Sequence, residues 1–474
     1  MGFITGIFSS ISGLGKYVMV PLMVAIIGIA FKCNVNKAIK GGMTVGIGLF
    51  GLDLALSLVG SYLGPVAMAL VEKANLSLDA IDVGWTALSG IAFATEIGAV
   101  IIPFMLLVNI VLLAIGATKT MDIDIWNFWH FALTGSLMYV LTGNILVGLV
   151  AATTHAVVTF SFADRTAEDV QKVIGIPGIS IPHGGALGCW VFGYGMEKVY
   201  NFFGKFFYGK KLDNETLDKE KVKKFSDNPI FKVIQDPVYV GFILGVVISL
   251  IGGFDLKTCL TTGMAMAALL FLTPRMVKIL MEGLVPISQA CSKIMNKKYK
   301  GQKLYIGMDT AVGLGTTTAM IGAVVMIPVM VVLSMIIPGN RVIPMASLAA
   351  CGYNCGTIQV GHKGKVMRTL LSTTLMFIAL FLLATYMTPI ITDVALANGY
   401  ATDYAVITAL SATLFGAAPI FFLYTMGTTV GLIACLVIIV GCIVLNRRYF
   451  KKMKENELNT VNFEGTDKAQ YIKE

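Results

Sequence analysis

Leu304-Tyr305-Ile306-Gly307-Met308-Asp309-Thr310-Ala311-Val312-Gly313-Leu314-Gly315 sets one carboxylate inside a glycine-rich run, directly ahead of the apolar segment Ala319–Pro338. In a chain that spans a membrane, this places Asp309 at or near bilayer depth. An ionisable group there is costly to desolvate and usually marks a substrate or ion site. Gly307, Gly313 and Gly315 let the backbone leave regular helix and expose N–H and C=O groups. At membrane depth such backbone is tolerated only where it is buried in protein or lines a cavity. The other reading is a helix-capping aspartate at the membrane surface.

Composition supports the membrane premise. Of 474 residues, 56% are hydrophobic and only 13% charged, and mean hydropathy is +0.79. Several apolar runs approach the ~20 residues a spanning helix needs. Met1–Gly15 has no basic n-region and reads as a retained amphipathic segment. The net charge of +9 comes from Lys and Arg clustered between apolar runs, which is a topology signal. No basic-aromatic module for nucleic acid is visible. The eight cysteines are scattered, and Cys351 and Cys355 read as small packing residues. No Walker A motif is present, so ATP hydrolysis by that route is excluded. No catalytic residue, metal ligand or cofactor is assigned.

In chain order the apolar runs are Tyr17–Phe31, Gly41–Tyr62, Thr86–Ala117, Phe128–Leu141 and Ile145–Ala163. Thr86–Ala117 is too long for one simple span and divides into a broken half-helix, Thr86–Thr95, and a span from Glu96. Gly175–Tyr200 is apolar but interrupted by Pro177, Pro182 and glycines, and is either re-entrant or interfacial. After the charged stretch Lys205–Lys232 come Val238–Ile251, Thr258–Leu272, the segment Tyr305–Ala319 with its helix to Pro338, Met345–Val360, Val366–Met387, a short piece Tyr404–Gly416, and Ile420–Leu445 as an eleventh span.

The two halves resemble each other. Ile97-Gly98-Ala99-Val100 returns as Ile321-Gly322-Ala323-Val324, Thr86-Ala87 as Thr310-Ala311, and Gly42-Met43 as Gly263-Met264, all at offsets of 221 to 224 residues. Five crossings per unit force the second copy to be inverted, a plan known in transporters. The expectation is an all-α polytopic membrane protein of about 11 spans: two inverted five-helix repeats with broken segments, and a C-terminal helix. The first repeat is 1–204, with scaffold spans 17–62 and core 79–204. A cytoplasmic linker, 205–236, leads to the second repeat, 237–387, with scaffold 238–272 and core 283–387. A hydrophobic region, 388–446, and a cytoplasmic tail, 447–474, follow. Hinge changes are expected at Gly41-Gly42 and in a loop near Gly283. With the N-terminus outside, only Lys16, Lys73, Lys257 and Arg341 of the 36 basic residues remain outside.

The candidate site follows from the polar residues in broken segments. Asp82 and Trp85 precede the first as Asp309 precedes the second. Asp124-Ile-Trp126-Asn127-Phe-Trp129-His130 mixes apolar faces with hydrogen-bonding groups, which suits a sugar or polyol, although an interfacial aromatic belt would read the same way. His183 lies among prolines and glycines that free backbone for a ligand. Glu96 is either an N-terminal capping charge or a buried proton site. His155 reads as satisfied packing, and His362, beside Lys363 and Lys365, as inside-surface charge.

Asp82-Val-Gly-Trp85, Asp124–His130, Ile181-Pro182-His183-Gly184, Pro274-Arg275 with Glu282–Ile287, Gly301-Gln302 with Ile306–Asp309, and Pro338-Gly339-Asn340-Arg341-Val342-Ile343-Pro344 together resemble the galactitol-type IIC components of the bacterial phosphotransferase system. The likeness runs to about Met387. It implies kinship with the ascorbate IIC transporters: a homodimer in the bacterial cytoplasmic membrane, surrounded by lipid, with a scaffold and a mobile core. It also implies a separate IIB partner, phosphorylated on cysteine and supplied through IIA, HPr and enzyme I. The substrate contacts implied are Asp82, Trp85, Thr86, Asn127, His130, His183, Gly184, Asp309 and Thr310. Where the family has a histidine soon after the Asp motif, this chain has Gly315-Thr316-Thr317-Thr318, so hydroxyl recognition there is expected to differ. An ion-coupled polyol transporter, with Asp309 or Glu96 carrying the ion, is the rival reading.

Overall fold

The computed structural model describes residues 16–66, 69, 78–122, 124–207, 236–298, 304–400 and 406–470. The Met1–Gly15 segment and the linker from residue 208 to 235 lie outside the described residues.

The chain is mostly helical, and local chemistry sets the helix ends. Asn144 accepts from the Leu146 N–H to open Ile145–Ile174, and left-handed Gly175 closes it. The expected break at Thr95 is present. Thr95 is extended (φ −77°, ψ 165°), and its hydroxyl accepts from Gly98 N–H, capping Glu96–Ala114 after Gly84–Ala94 has ended. Asp236 caps Pro237–Ile251, with proline in the first turn where its missing N–H costs nothing.

Among the described residues, six helices are long and apolar enough to cross a membrane: Val35–Val66, Glu96–Ala114, Ile145–Ile174, Leu256–Ile287, Val366–Ala397 and Thr428–Met453. Thr317–Ile336 makes a seventh if its two parts, bent by 42°, are one span. Pro328 removes the helical hydrogen bond to Val324, which accounts for the bend. Further crossings toward the expected eleven would fall to shorter helices such as Tyr17–Ala30 and Gly241–Ile251. Ile433, Val437, Val440 and Leu445 stay exposed on the C-terminal helix, an apolar face that only lipid or a partner subunit tolerates.

Three expectations are corrected. Ile420–Leu445 is not one span. Leu414–Thr425 ends at Met426, Gly427 takes φ +129°, and a new helix starts at Thr428. Gly283 is in no loop, because Leu256–Lys298 is a single helix through it. Gly41 and Gly283 form a close helix crossing instead: a Cβ on Gly41 would lie 2.6 Å from the Gly283 carbonyl oxygen, and one on Gly283 2.5 Å from that of Gly41. His362 is fully buried, its ring nitrogens 2.8 Å from Glu197 Oε2 and 2.8 Å from Ser372 Oγ. Arg368 holds the other Glu197 oxygen at 2.9 Å, so the charges expected at this surface are consumed internally.

Lys16–Ala30, Val35–Leu58, Pro237–Ile251 and Leu256–Lys298 pack mainly on one another. The remaining elements gather around two small parallel sheets that an all-α reading omits. β1 (Ala80–Asp82) lies between β5 (Val342–Ile343) and β6 (Val406–Thr408), with Ala80 opposite Val342 and Val406. β4 (Tyr305–Gly307) lies between β2 (Thr120–Met121) and β3 (Ile179–Ser180), with Tyr305 opposite Thr120 and Ile306 opposite Ile179. Each sheet centres on the first strand of one half, flanked by the second and third strands of the other. The ladders satisfy backbone that has left helix, as burial in an apolar surround requires.

Candidate functional site

Both central strands lead into an aspartate, and the two aspartates differ in what surrounds them. Asp82 ends β1 and is fully buried. Its Oδ1 accepts from Gly84 N–H at 3.0 Å, Leu410 N–H at 3.1 Å and the Ser347 hydroxyl at 2.7 Å. Its Oδ2 accepts from Met345 N–H at 3.0 Å and Ser347 N–H at 2.9 Å. A carboxylate offers about four lone-pair sites, so these donors fill it. Asp82 thus ties the chain after β1 to the turns after β5 and β6.

Asp309 follows β4 and is only partly occupied. Oδ1 caps the short turn Thr310–Gly313 by accepting from Ala311 N–H at 2.7 Å. Oδ2 lies 3.6 Å from His183 Nε2, and the two side chains remain 18% and 13% exposed. The capping and binding readings of Asp309 therefore concern different oxygens of one carboxylate.

That exposure is toward a cavity of about 240 Å³. Its wall includes Trp85, Trp126, Trp129, His130, His183, Asp309, Thr310, Tyr353, Asn354, Ser411 and Thr413. Trp85 meets Trp126 edge-on at 5.8 Å and Tyr353 at 6.1 Å, giving an aromatic corner. His130 and His183 stand beside it with ring centroids 3.9 Å apart and Nε2 atoms 2.9 Å apart. The indole N–H of Trp129 has no hydrogen-bond partner among the described residues. Aromatic faces take C–H surfaces, while imidazole, indole, carboxylate and hydroxyl groups pair with hydroxyls. Among the described residues Asp309 is the one carboxylate on the wall, and neither Lys nor Arg lines it, so the cavity suits a neutral polar ligand.

The other expected residues sit behind or away from this wall. Asn127 is buried and donates to Asp122 Oδ1 at 2.9 Å. Gly184 lies where a Cβ would come within 2.5 Å of His130 Cβ, so its smallness lets the histidine helix approach. Thr86 lines a second cavity of about 250 Å³, bounded by Thr273 and Pro274 and sharing Trp85 and Tyr353 with the first. Glu96 opens its helix and accepts from the Tyr139 hydroxyl, remote from both. His155 packs against Phe131 and pairs Nδ1 with Thr134 at 2.7 Å, but its buried Nε2 has no hydrogen-bond partner among the described residues, so the expectation of satisfied packing holds for one ring nitrogen only. Among the described residues no group of three or more His, Cys, Asp or Glu side chains is placed to hold a metal.

Sequence reasoning missed Tyr353, Asn354, Ser411 and Thr413. Tyr353 and Asn354 belong to an 8-residue helix, Cys351–Ile358, that the hydropathy run hid. Ser411 and Thr413 lie in a segment read as merely hydrophobic. For Ser411 and Thr413 the available signal was a cluster of polar residues interrupting an apolar stretch, as at Asp82 and Asp309.

The family model described as the PTS system sugar-specific permease component, EIIC-GAT, matches residues 10–405. A permease IIC component of Escherichia coli (strain K12) is 35% identical over 412 residues, covering 86% of this chain and 92% of that protein. The PTS system galactitol-specific EIIC component of the same strain is 30% identical over 362 residues, covering 76% and 77%. Its counterpart in Escherichia coli O157:H7 matches equally.

Proposed function

The chain belongs to the sugar-specific permease component family of the phosphotransferase system, and from that premise we propose that it carries a galactitol-like polyol inward through the cavity of Trp85, His183 and Asp309. The single observation that carries the assignment is this meeting of an aromatic corner, a histidine pair and a half-free carboxylate on one wall. His130, His183, Asp309 and Thr310 would hold hydroxyls, and Trp85 would stack on the C–H face. Asp82, Asn127 and Gly184 would act by holding that wall in place.

A phosphorylated IIB protein would then transfer phosphate to the held substrate. Because the wall carries a carboxylate and no cation, the new phosphate would be repelled from the site, and a charged product does not recross hydrocarbon.

The two halves are taken as inverted repeats, and the exchange of strands between the two sheets supports this. On this view the shorter helices complete about eleven crossings, with the N-terminus outside and the tail in the cytoplasm. The helices at 16–58 and 237–298 would form a fixed scaffold in a homodimer, and the sheet-containing core would move against it with the substrate inside. Segments that share one ligand must travel together, or the site falls apart. The test is radiolabelled galactitol uptake in cells expressing the chain with its IIA and IIB partners. Uptake should stop when phosphoenolpyruvate is depleted and survive a protonophore. The opposite pattern would overturn this reading in favour of ion coupling.

A further inference from the structure

We propose that the Gly185 amide orders the hydrogens of His183 and His130, and that Thr413 and Ser411, past the end of the family match at residue 405, receive and relay that order, so that the cavity presents an acceptor at Asp309 and a donor at Ser411. The inference rests on the cavity being the substrate site, and adds the polarity with which that site reads a ligand.

The order of hydrogens follows from one backbone amide. Gly185 N–H donates to His183 Nδ1 at 3.2 Å. That nitrogen therefore holds a lone pair, and the neutral ring carries its hydrogen on Nε2. His183 Nε2 lies 2.9 Å from His130 Nε2 but 3.6 Å from Asp309 Oδ2. Only the first is a hydrogen-bond distance, so His183 donates to His130. The receiving nitrogen of His130 is then a lone pair, and its hydrogen sits on Nδ1. It points to Thr413 Oγ1, 2.7 Å away.

Thr413 accepts that hydrogen and passes its own to Ser411 Oγ at 2.9 Å. Ser411 Oγ also accepts from Thr413 N–H at 3.4 Å. With both acceptances made within the protein, the Ser411 hydrogen is left for the cavity that this residue lines. The reverse order would put a hydrogen on His183 Nδ1, facing the Gly185 N–H, and two donors cannot share one contact. An unmet donor in so buried a place is costly.

The consequence for binding is directional. His183 spends its one N–H on His130, so Asp309 Oδ2 keeps its full capacity to accept from a substrate hydroxyl. A second hydroxyl accepts from Ser411. The ligand class is a neutral molecule with several hydroxyls, each able to donate and accept. Thr413 is a positioning residue, acting through His130.

The chain has four histidines, so nitrogen-15 spectra of the full-length, histidine-labelled protein in lipid nanodiscs can be assigned with single substitutions. The expected result is His183 with hydrogen on Nε2 and His130 with hydrogen on Nδ1, with no ligand added. Thr413→Val should leave the His130 hydrogen on Nδ1 without its acceptor, shift the His130 Nδ1 resonance and weaken galactitol binding about 10-fold, with Thr413→Ser restoring both, binding to within about threefold. Ser411→Ala should weaken binding similarly and leave both tautomers in place. His183 protonated on Nδ1, or Thr413→Val binding within about twofold of the parent, would overturn the proposal. Asp309→Asn separates the two layers: normal binding there refutes the cavity as the site, whereas lost binding there with intact binding in Thr413→Val refutes only the hydrogen order.

Discussion

Asp82→Asn should destabilise the protein and leave the binding affinity of the folded fraction nearly intact. The substitution keeps Oδ1, or its equivalent, for Gly84, Leu410 and Ser347, and turns Oδ2 into an amide that donates. Met345 N–H at 3.0 Å and Ser347 N–H at 2.9 Å would then face a donor in a fully buried place. Two unsatisfied buried N–H groups at about 1–3 kcal/mol each give a loss of about 2–6 kcal/mol, before any relaxation of the turn. For a chain of this size that corresponds to an apparent melting temperature lower by about 2–6 °C. The assay is thermal unfolding of purified protein followed by size-exclusion fluorescence, beside galactitol titration of the monodisperse fraction. A variant that melts like the parent yet loses binding more than about tenfold would refute the bracing role and return Asp82 to the ligand.

Asp309→Ala should do the reverse, keeping the fold while weakening binding about 30- to 1000-fold, since a carboxylate accepting two hydroxyl bonds contributes ~2–4 kcal/mol; titration within threefold of the parent would remove it from the site. Gly184→Val should displace His130, whose Cβ would lie 2.5 Å from the first added carbon, at a cost of about 1–3 kcal/mol in stability together with weaker binding; an unchanged melting curve would count against that packing. A single cysteine placed at Asn214 should resist an impermeant reagent in intact cells and react after permeabilisation, and labelling in intact cells would reverse the proposed topology. Crosslinking cysteines at Leu52 and Gly90, where the first helix group touches the core, should block uptake while binding from one side persists; full uptake in the crosslinked protein would eliminate the moving core.

What the sequence determined by itself was whatever depends on nearby residues. Hydropathy over about 20 positions gives the long apolar helices, because the bilayer tests each helix by its own length, but it ran Ile420–Leu445 together across the break at Gly427. Thr95, Pro182 and the glycines around Asp309 give the breaks, because each acts on its own backbone. The offset between Ile97-Gly98 and Ile321-Gly322 is the sequence's ground for proposing that the halves are related. Motif likeness gives the family, and with it Trp85, His130, His183, Asp309 and Thr310 on the cavity wall. The strands were beyond reach, since two or three residues have no readable period. Asp82 and Asp309 look alike in sequence, each following a short apolar piece. Only the tertiary structure separates them: the turns after β5 and β6 converge on Asp82 and fill it, while Asp309 meets His183 across a cavity. Thr413 reaches His130 from 283 positions away. Its partner is chosen by how the Leu414–Thr425 helix packs on the Phe128–Thr142 helix, and no pattern in the neighbourhood of either residue encodes that packing.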